Sequence, residues 1–192
     1  VTNMPRGQVS IAGTWTRCQG ESVLVTAEAT TVGGVSPTRW VWVGTAPVVA
    51  PVYTSTNSLL ISTTGDFTVT AEYANANCNN LTPVAFTVNE TIPTTLSITS
   101  TLANVCEGNQ FTLTATQSGG TPLPANAIYT WYRNGVEIAG QSLYQISEIL
   151  TTPGTYDYSV KATYPLGCVT AVSSATQVRV HATPEITISG TP

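Results

Sequence analysis

The feature that most constrains this chain is that it repeats itself. Cys18-Gln19-Gly20 returns as Cys106-Glu107-Gly108 after 88 residues. Trp40, four residues before Gly44, returns as Trp131, four before Gly135, after 91. Gly65-Asp66-Phe67 returns as Gly154-Thr155-Tyr156 after 89, and Cys78 returns as Cys168 after 90. Landmarks that keep their order at a nearly constant period mark a duplicated structural unit. The 192 residues divide into domains spanning 1–90 and 91–182. They are joined across Asn89 to Thr95 (NETIPTT), where proline and threonine make a short, stiff connection. Residues 183–192 (TPEITISGTP) read as the start of a following repeat or a linker. With valine at position 1, the chain reads as processed or as a segment of something longer.

Within each copy the apolar pattern has period two. Val23, Val25, Ala27 and Ala29 share one face, with Thr26 and Glu28 on the other. In the second copy Phe111, Leu113 and Ala115 alternate with Thr112, Thr114 and Thr116. Such alternation is the mark of half-buried strands. Further strands are expected at Trp40–Trp42 and Tyr129–Trp131, at Ser58–Ser62 and Leu143–Leu150, at Asp66–Tyr73 and Thr155–Thr163, and at Val84–Val88 and Thr176–Val180. No stretch carries a helical period. About seven strands per copy around a central tryptophan give an all-β chain of two tandem immunoglobulin-like β-sandwich domains. Trp40, Trp131, Phe67 and Tyr156 are the expected core aromatics, with Trp42 buried beside Trp40.

Composition supports this and closes several other routes. Only 8 % of residues are charged while 42 % are hydrophobic, against ~25 % charged in an ordinary domain. The missing charge is replaced largely by 35 threonines, a β-branched residue that suits a pleated surface. The net charge is −4 and the single lysine is Lys161. The basic stripe that a nucleic-acid partner requires is absent. No apolar run approaches the ~18 residues of a membrane span.

The pattern resembles the Ig-like and PKD-like repeats of large secreted surface proteins in Bacteroidetes-type bacteria. The shared elements are Cys18-Gln-Gly20, Trp40, Gly65-Asp-Phe67 and Asn77-Cys78, then Cys106-Glu-Gly108, Trp131, Gly154-Thr-Tyr156 and Gly167-Cys168. The resemblance implies an extracellular place, on a bacterial surface or secreted. Such repeats build adhesins, gliding-type filaments and stalks of secreted enzymes. Copy one lacks the glycine before its second cysteine, so a different turn is expected there.

Catalytic chemistry has little to work with. A triad would have to use the one histidine, His181. The only aspartates, Asp66 and Asp157, each begin a strand after a glycine, where a local turn hydrogen bond is the expected role. The remaining acids are scattered singly, whereas a glycosidase needs two facing carboxylates. The four cysteines lack zinc-ligand spacing, no clustered carboxylates suit calcium, and no cofactor is expected. Asn80 and Asn89 lie in N-x-[ST] sequons, read as chance in so Thr-rich a chain. Trp15, Tyr53, Tyr132 and Tyr164 are the candidate exposed aromatics for a glycan platform.

The cysteines are the remaining candidates. Four of them in a chain so poor in charge point to an oxidising compartment and to disulfides. Pairing within copies would join Cys18 to Cys78 and Cys106 to Cys168. On Ig topology, however, those partners lie at opposite ends of a domain, and a disulfide requires Cα atoms within ~7 Å. A bond between Cys18 and Cys168 across the domains is therefore favoured, with Cys78 and Cys106 turned toward neighbouring repeats of the same or identical chains.

The chain is thus expected to be a non-enzymatic, structural or adhesive segment of a bacterial surface filament, stalk or adhesin, with a surface glycan or protein as ligand. The competing reading is a pair of accessory or carbohydrate-binding modules of a secreted polysaccharide-degrading enzyme.

Overall fold

The computed structural model describes residues 6–44, 50–79, 82–186 and 189. The sequon at Asn80 and most of the closing segment 187–192 lie outside them. The chain forms two compact units, Val1–Thr91 and Ile92–Pro192, which divide within the Asn89 to Thr95 segment.

The first unit carries β1 (Val9–Ser10), β2 (Trp15–Cys18), β3 (Val23–Thr26), β4 (Glu28–Ala29), β5 (Arg39–Gly44), β6 (Val52–Thr54), β7 (Ser58–Ile61), β8 (Gly65–Glu72) and β9 (Val84–Thr91). One sheet has the order β2-β9-β8-β5-β6; β3 pairs with β7 and β1 with β4. The second unit carries β10 (Thr95–Ser100), β11 (Asn104–Cys106), β12 (Gln110–Ser118), β13 (Ile128–Arg133), β14 (Val136–Glu137), β15 (Gln145–Ile149), β16 (Gly154–Thr163) and β17 (Thr176–His181). Its sheets have the orders β11-β17-β16-β13-β14 and β10-β12-β15. In both units one short strand runs parallel to the last (β2 with β9, β11 with β17) and the other pairings are antiparallel. A five-stranded sheet with this parallel pairing to the last strand, packed with the remaining strands around one core, makes each unit an Ig-like sandwich. Among the described residues the only helical turn is Ala76–Cys78.

The expected strands omitted β10 (Thr95–Ser100), which follows the segment read as a linker, and several short strands, among them the parallel β2 and β11. At three or four residues β2 and β11 are too brief to show a period. The alternating run Val23–Ala29 is split at Ala27, whose backbone bonds to Asn57 while the chain changes partner from β7 to β1.

Each unit has its own core. Val25, Trp40, Trp42, Phe67, Val69 and Phe86 fill the first, and Phe111, Leu113, Trp131, Tyr158, Val160 and Val178 the second. The structural counterpart of Trp131 is Trp42, not Trp40. Trp42 lies opposite Val69 and Trp131 opposite Val160. Both are essentially sealed, at 1 % and 0 % exposure. The indole Nε1–H of Trp42 donates to Thr54 Oγ1 (3.0 Å) and that of Trp131 to the Leu143 carbonyl (2.8 Å), in each case 12 residues on. Trp40, also buried, stacks on Trp42. Tyr156 is only half-buried, at the edge of its core, and Tyr158 takes the fully buried place. The cause is strand length: β16 has ten residues and β8 has eight, so the landmarks at the two ends of this strand cannot both keep one offset.

The threonine excess is used on the outer faces. Thr95 Oγ1 donates to the Ser118 carbonyl (2.7 Å), and Thr112 meets Ser147 across β12 and β15 (3.2 Å). Cross-strand hydroxyl bonds of this kind, to a carbonyl or to another hydroxyl, take the place of the charge pairs of a typical sheet surface.

Candidate functional site

The leading end of each unit, where the chain enters it, is closed by one repeated arrangement. Tyr73, just beyond β8, donates its hydroxyl to the Thr30 carbonyl (2.5 Å). Thr30 in turn exchanges two bonds with Gln8: its N–H donates to the Gln8 carbonyl (3.0 Å), and the Gln8 N–H donates to its Oγ1 (2.9 Å). In the second unit Tyr164 donates to the Thr121 carbonyl. Thr121 exchanges the same pair of bonds with Ile92 (2.7 and 3.1 Å). Tyr164 also accepts a bond from the Thr94 N–H (3.1 Å). One tyrosine thus fastens the incoming chain to the loop after β4 in the first unit and after β12 in the second. Burial raises the Tyr73 phenol above its ordinary range.

The second cysteine of each repeat lies beside this clasp. In the second unit a tight turn follows Tyr164: Gly167 N–H donates to the Tyr164 carbonyl, and Tyr164 N–H to the Cys168 carbonyl (2.7 Å). Gly167 takes φ +90° there, a conformation that glycine adopts without strain. The first unit, lacking that glycine, uses the Ala76–Cys78 helical turn, capped by the Asn75 side chain on the Asn77 N–H (3.1 Å). The difference in turn expected from the sequence is thereby seen.

The first cysteine of each repeat lies at the trailing end. Cys18 closes β2 opposite Thr91, and Cys106 closes β11 opposite His181. Both open the same turn: Glu21 N–H donates to the Cys18 carbonyl (3.0 Å), Asn109 N–H to the Cys106 carbonyl (3.1 Å). Gly20 and Gly108 sit at φ +80° and +78°. Positive φ at the third residue is the type II turn requirement, and it explains the Cys-x-Gly spacing. Arg17 braces the first of these turns. Its guanidinium bonds the Glu21 carbonyl (2.9 Å) and pairs with Glu90 (2.5 Å).

The cysteines of one unit are therefore held apart. Between Thr91, beside Cys18, and the turn bearing Cys78 runs the whole of β9. Its eight residues span roughly 25 Å, far beyond disulfide reach. Cys18 and Cys168 are both disulfide-bonded, whereas Cys78 (buried) and Cys106 (exposed) are free thiols. Neither within-domain pairing, Cys18–Cys78 or Cys106–Cys168, forms.

The other candidates are dispersed. His181 Nε2 meets Asn104 Oδ1 (3.0 Å) on an exposed edge. Asp66 accepts from Thr87 Oγ1 (2.7 Å) and Asp157 from Gln177 Nε2 (3.1 Å). Both of these bonds go to the neighbouring last strand. Among the described residues no group of three His, Cys, Asp or Glu is placed to hold a metal. Among the described residues no helix is long and apolar enough to cross a membrane. Of the aromatic platform candidates, Tyr164 is buried in its clasp, and Trp15 and Tyr132 are half-buried. Tyr53 is 57 % exposed, but the Arg39 guanidinium lies 4.7 Å over its ring.

No protein-family model matches the chain, and no curated protein matches it. Solved structures do. The three N-terminal domains of the bacteriophage RB49 highly immunogenic outer capsid protein (Hoc) align at 13 % identity and TM-score 0.56, covering 93 % of this chain and 71 % of that one. The fibronectin(III)-like modules of Clostridium thermocellum CbhA align at 13 % identity and TM-score 0.48, covering 91 % and 95 %. The four N-terminal Ig domains of Dscam1 isoform 4.44 align at 12 % identity and TM-score 0.39; this chain spans 47 % of that one. At such identities the likeness concerns the fold: two Ig-like β-sandwiches in tandem.

Proposed function

We propose that this chain is a load-bearing structural segment of a secreted bacterial surface protein (a filament, stalk or adhesin), without catalysis of its own, in which Cys18 and Cys168 are bonded to each other across the two domains. The observation that carries this reading is the distribution of bonded and free cysteines. The two cysteines in disulfides are one trailing-end and one leading-end cysteine from different units, while the partners each would have within its own unit are free. Such a bond bypasses the short linker, so tension between the chain ends runs through it and the chain between the two cysteines is shielded. In the chain-entropy model closing so long a loop also adds about 5 kcal/mol. Disulfides belong to oxidising, extracellular settings. The Bacteroidetes-type repeats the sequence resembles are of this kind.

The glycan-binding alternative draws less support, because the most exposed candidate ring, Tyr53, is already covered on one face by Arg39. The test is to pull single molecules by their ends. With the bond in place, unfolding releases only the chain outside Cys18 and Cys168; after reduction the released length increases to that of both domains. Full extension of unreduced protein, or a Cys18–Cys78 peptide in an unreduced digest, would falsify the reading.

A further inference from the structure

The two free thiols are the counterparts of the two bonded ones. Cys106 occupies, on the second unit, the position of Cys18 on the first: it ends the short parallel strand, it opens the same glycine turn, and the residue after it donates to the last strand as Gln19 does to Thr91 (Glu107 to the His181 carbonyl, 2.8 Å). Cys78 occupies, on the first unit, the position of Cys168 on the second, in the turn just beyond the clasp tyrosine. A chain with a free trailing-end cysteine on its second unit and a free leading-end cysteine on its first carries the two unsatisfied halves of one bond, one on each unit.

The surroundings suit this use. Cys106 is exposed. Cys78 is a buried member of the first unit's core, and it lies where that core meets an apolar recess of about 200 Å³ lined also by Val32, Val35 and Tyr73.

We propose that a second copy of this chain docks head to tail, its leading end on the trailing end of the first, and that Cys106 of one copy forms a disulfide with Cys78 of the next. This rests on the reading of Cys18 and Cys168 as a cross-domain bond. The contact is heterologous, so repeated addition produces an open filament and not a closed dimer. The oxidant is a small disulfide. The Cys106 thiolate attacks one of its sulfurs and releases one thiol. The Cys78 thiolate then attacks the mixed disulfide at the Cys106 sulfur and releases the second. Two protein thiols become one disulfide, and the oxidant leaves as two thiols.

The experiment uses the 192-residue chain with oxidised glutathione, followed by unreduced electrophoresis and peptide mapping. The expected result is a ladder of oligomers that reductant collapses, with a Cys78–Cys106 peptide in the ladder bands. Cys78→Ser and Cys106→Ser each remain monomeric alone and together give dimers only. Mapping of the unsubstituted chain is independent of whether either variant folds. A monomer that retains its Cys18–Cys168 peptide without forming a ladder overturns this inference and leaves the functional reading standing. Dimers from Cys78→Ser alone, joined through two Cys106 residues, overturn the head-to-tail arrangement. A Cys18–Cys78 peptide overturns the functional reading itself.

Discussion

The Tyr164 hydroxyl donates to the Thr121 carbonyl, 43 residues back, while accepting from the Thr94 N–H. Tyr73 repeats the first of these bonds on Thr30 over the same 43-residue separation. The phenol thus ties the end of a central strand to the incoming chain and closes that end of the sandwich.

Tyr164→Phe is therefore expected to destabilise the second unit by about 1–3 kcal/mol, since a buried N–H and a carbonyl lose their partner together. Tyr73→Phe is expected to cost the first unit less, about 1 kcal/mol, because its hydroxyl makes a single bond among those described. Urea unfolding followed unit by unit checks this; equal, negligible losses would argue against a structural role.

The assignment of Trp42 as the counterpart of Trp131 makes its own prediction. Trp42→Ala and Trp131→Ala should each cost about 3–5 kcal/mol through the cavity left in a packed core. Trp42→Phe, which removes the bond to Thr54, should cost more than Trp40→Phe. Denaturation midpoints of the four variants provide the comparison.

Gly120 and Gly108 both adopt positive φ (+63° and +78°), but their surroundings differ. A Cβ on Gly120 would lie 2.7 Å from the Ile92 carbonyl oxygen and 2.8 Å from the Thr94 Cα, whereas one on Gly108 meets nothing within 4 Å. Gly108→Ala should cost about 1–2 kcal/mol, the left-handed penalty alone. Gly120→Ala should cost clearly more, because backbone must also move. Thermal unfolding of the two variants would show the order.

Alkaline pH should weaken the second unit. Burial raises the Tyr158 phenol far above the ordinary 10.0, and the nearby Glu148 carboxylate raises it further, although Arg133 opposes. The native state therefore keeps a proton that the unfolded chain releases. Its contribution to stability is complete below pH 10 and declines as pH rises beyond it. Tyr158→Phe should flatten that decline in a pH series of unfolding midpoints. An unchanged slope would place the titration elsewhere.

Several elements were legible before any coordinates. The Cys-x-Gly motif reports a turn because only a residue free to take positive φ fits its third position, and that requirement is local. The alternation of Phe111, Leu113 and Ala115 reports a buried face because strand geometry alone sets its period. The clasp also left a signal, since Thr30 and Tyr73 both return after 91 residues. It was hidden because, among 35 threonines, a recurring threonine does not stand out.

What the sequence by itself determined is the all-β, Ig-like character of the chain and its glycine turns, each written in spacing along the chain. Tertiary structure alone decided which tryptophans correspond, that Tyr158 and not Tyr156 is sealed in the core, that Tyr164 is a clasp and not a platform, and which cysteines remain free. Those outcomes depend on strand register and on which ends of strands meet. A strand of eight residues separates its ends by roughly 25 Å, and the parallel pairing of β2 with β9 puts Cys18 at one of them and Cys78 at the other.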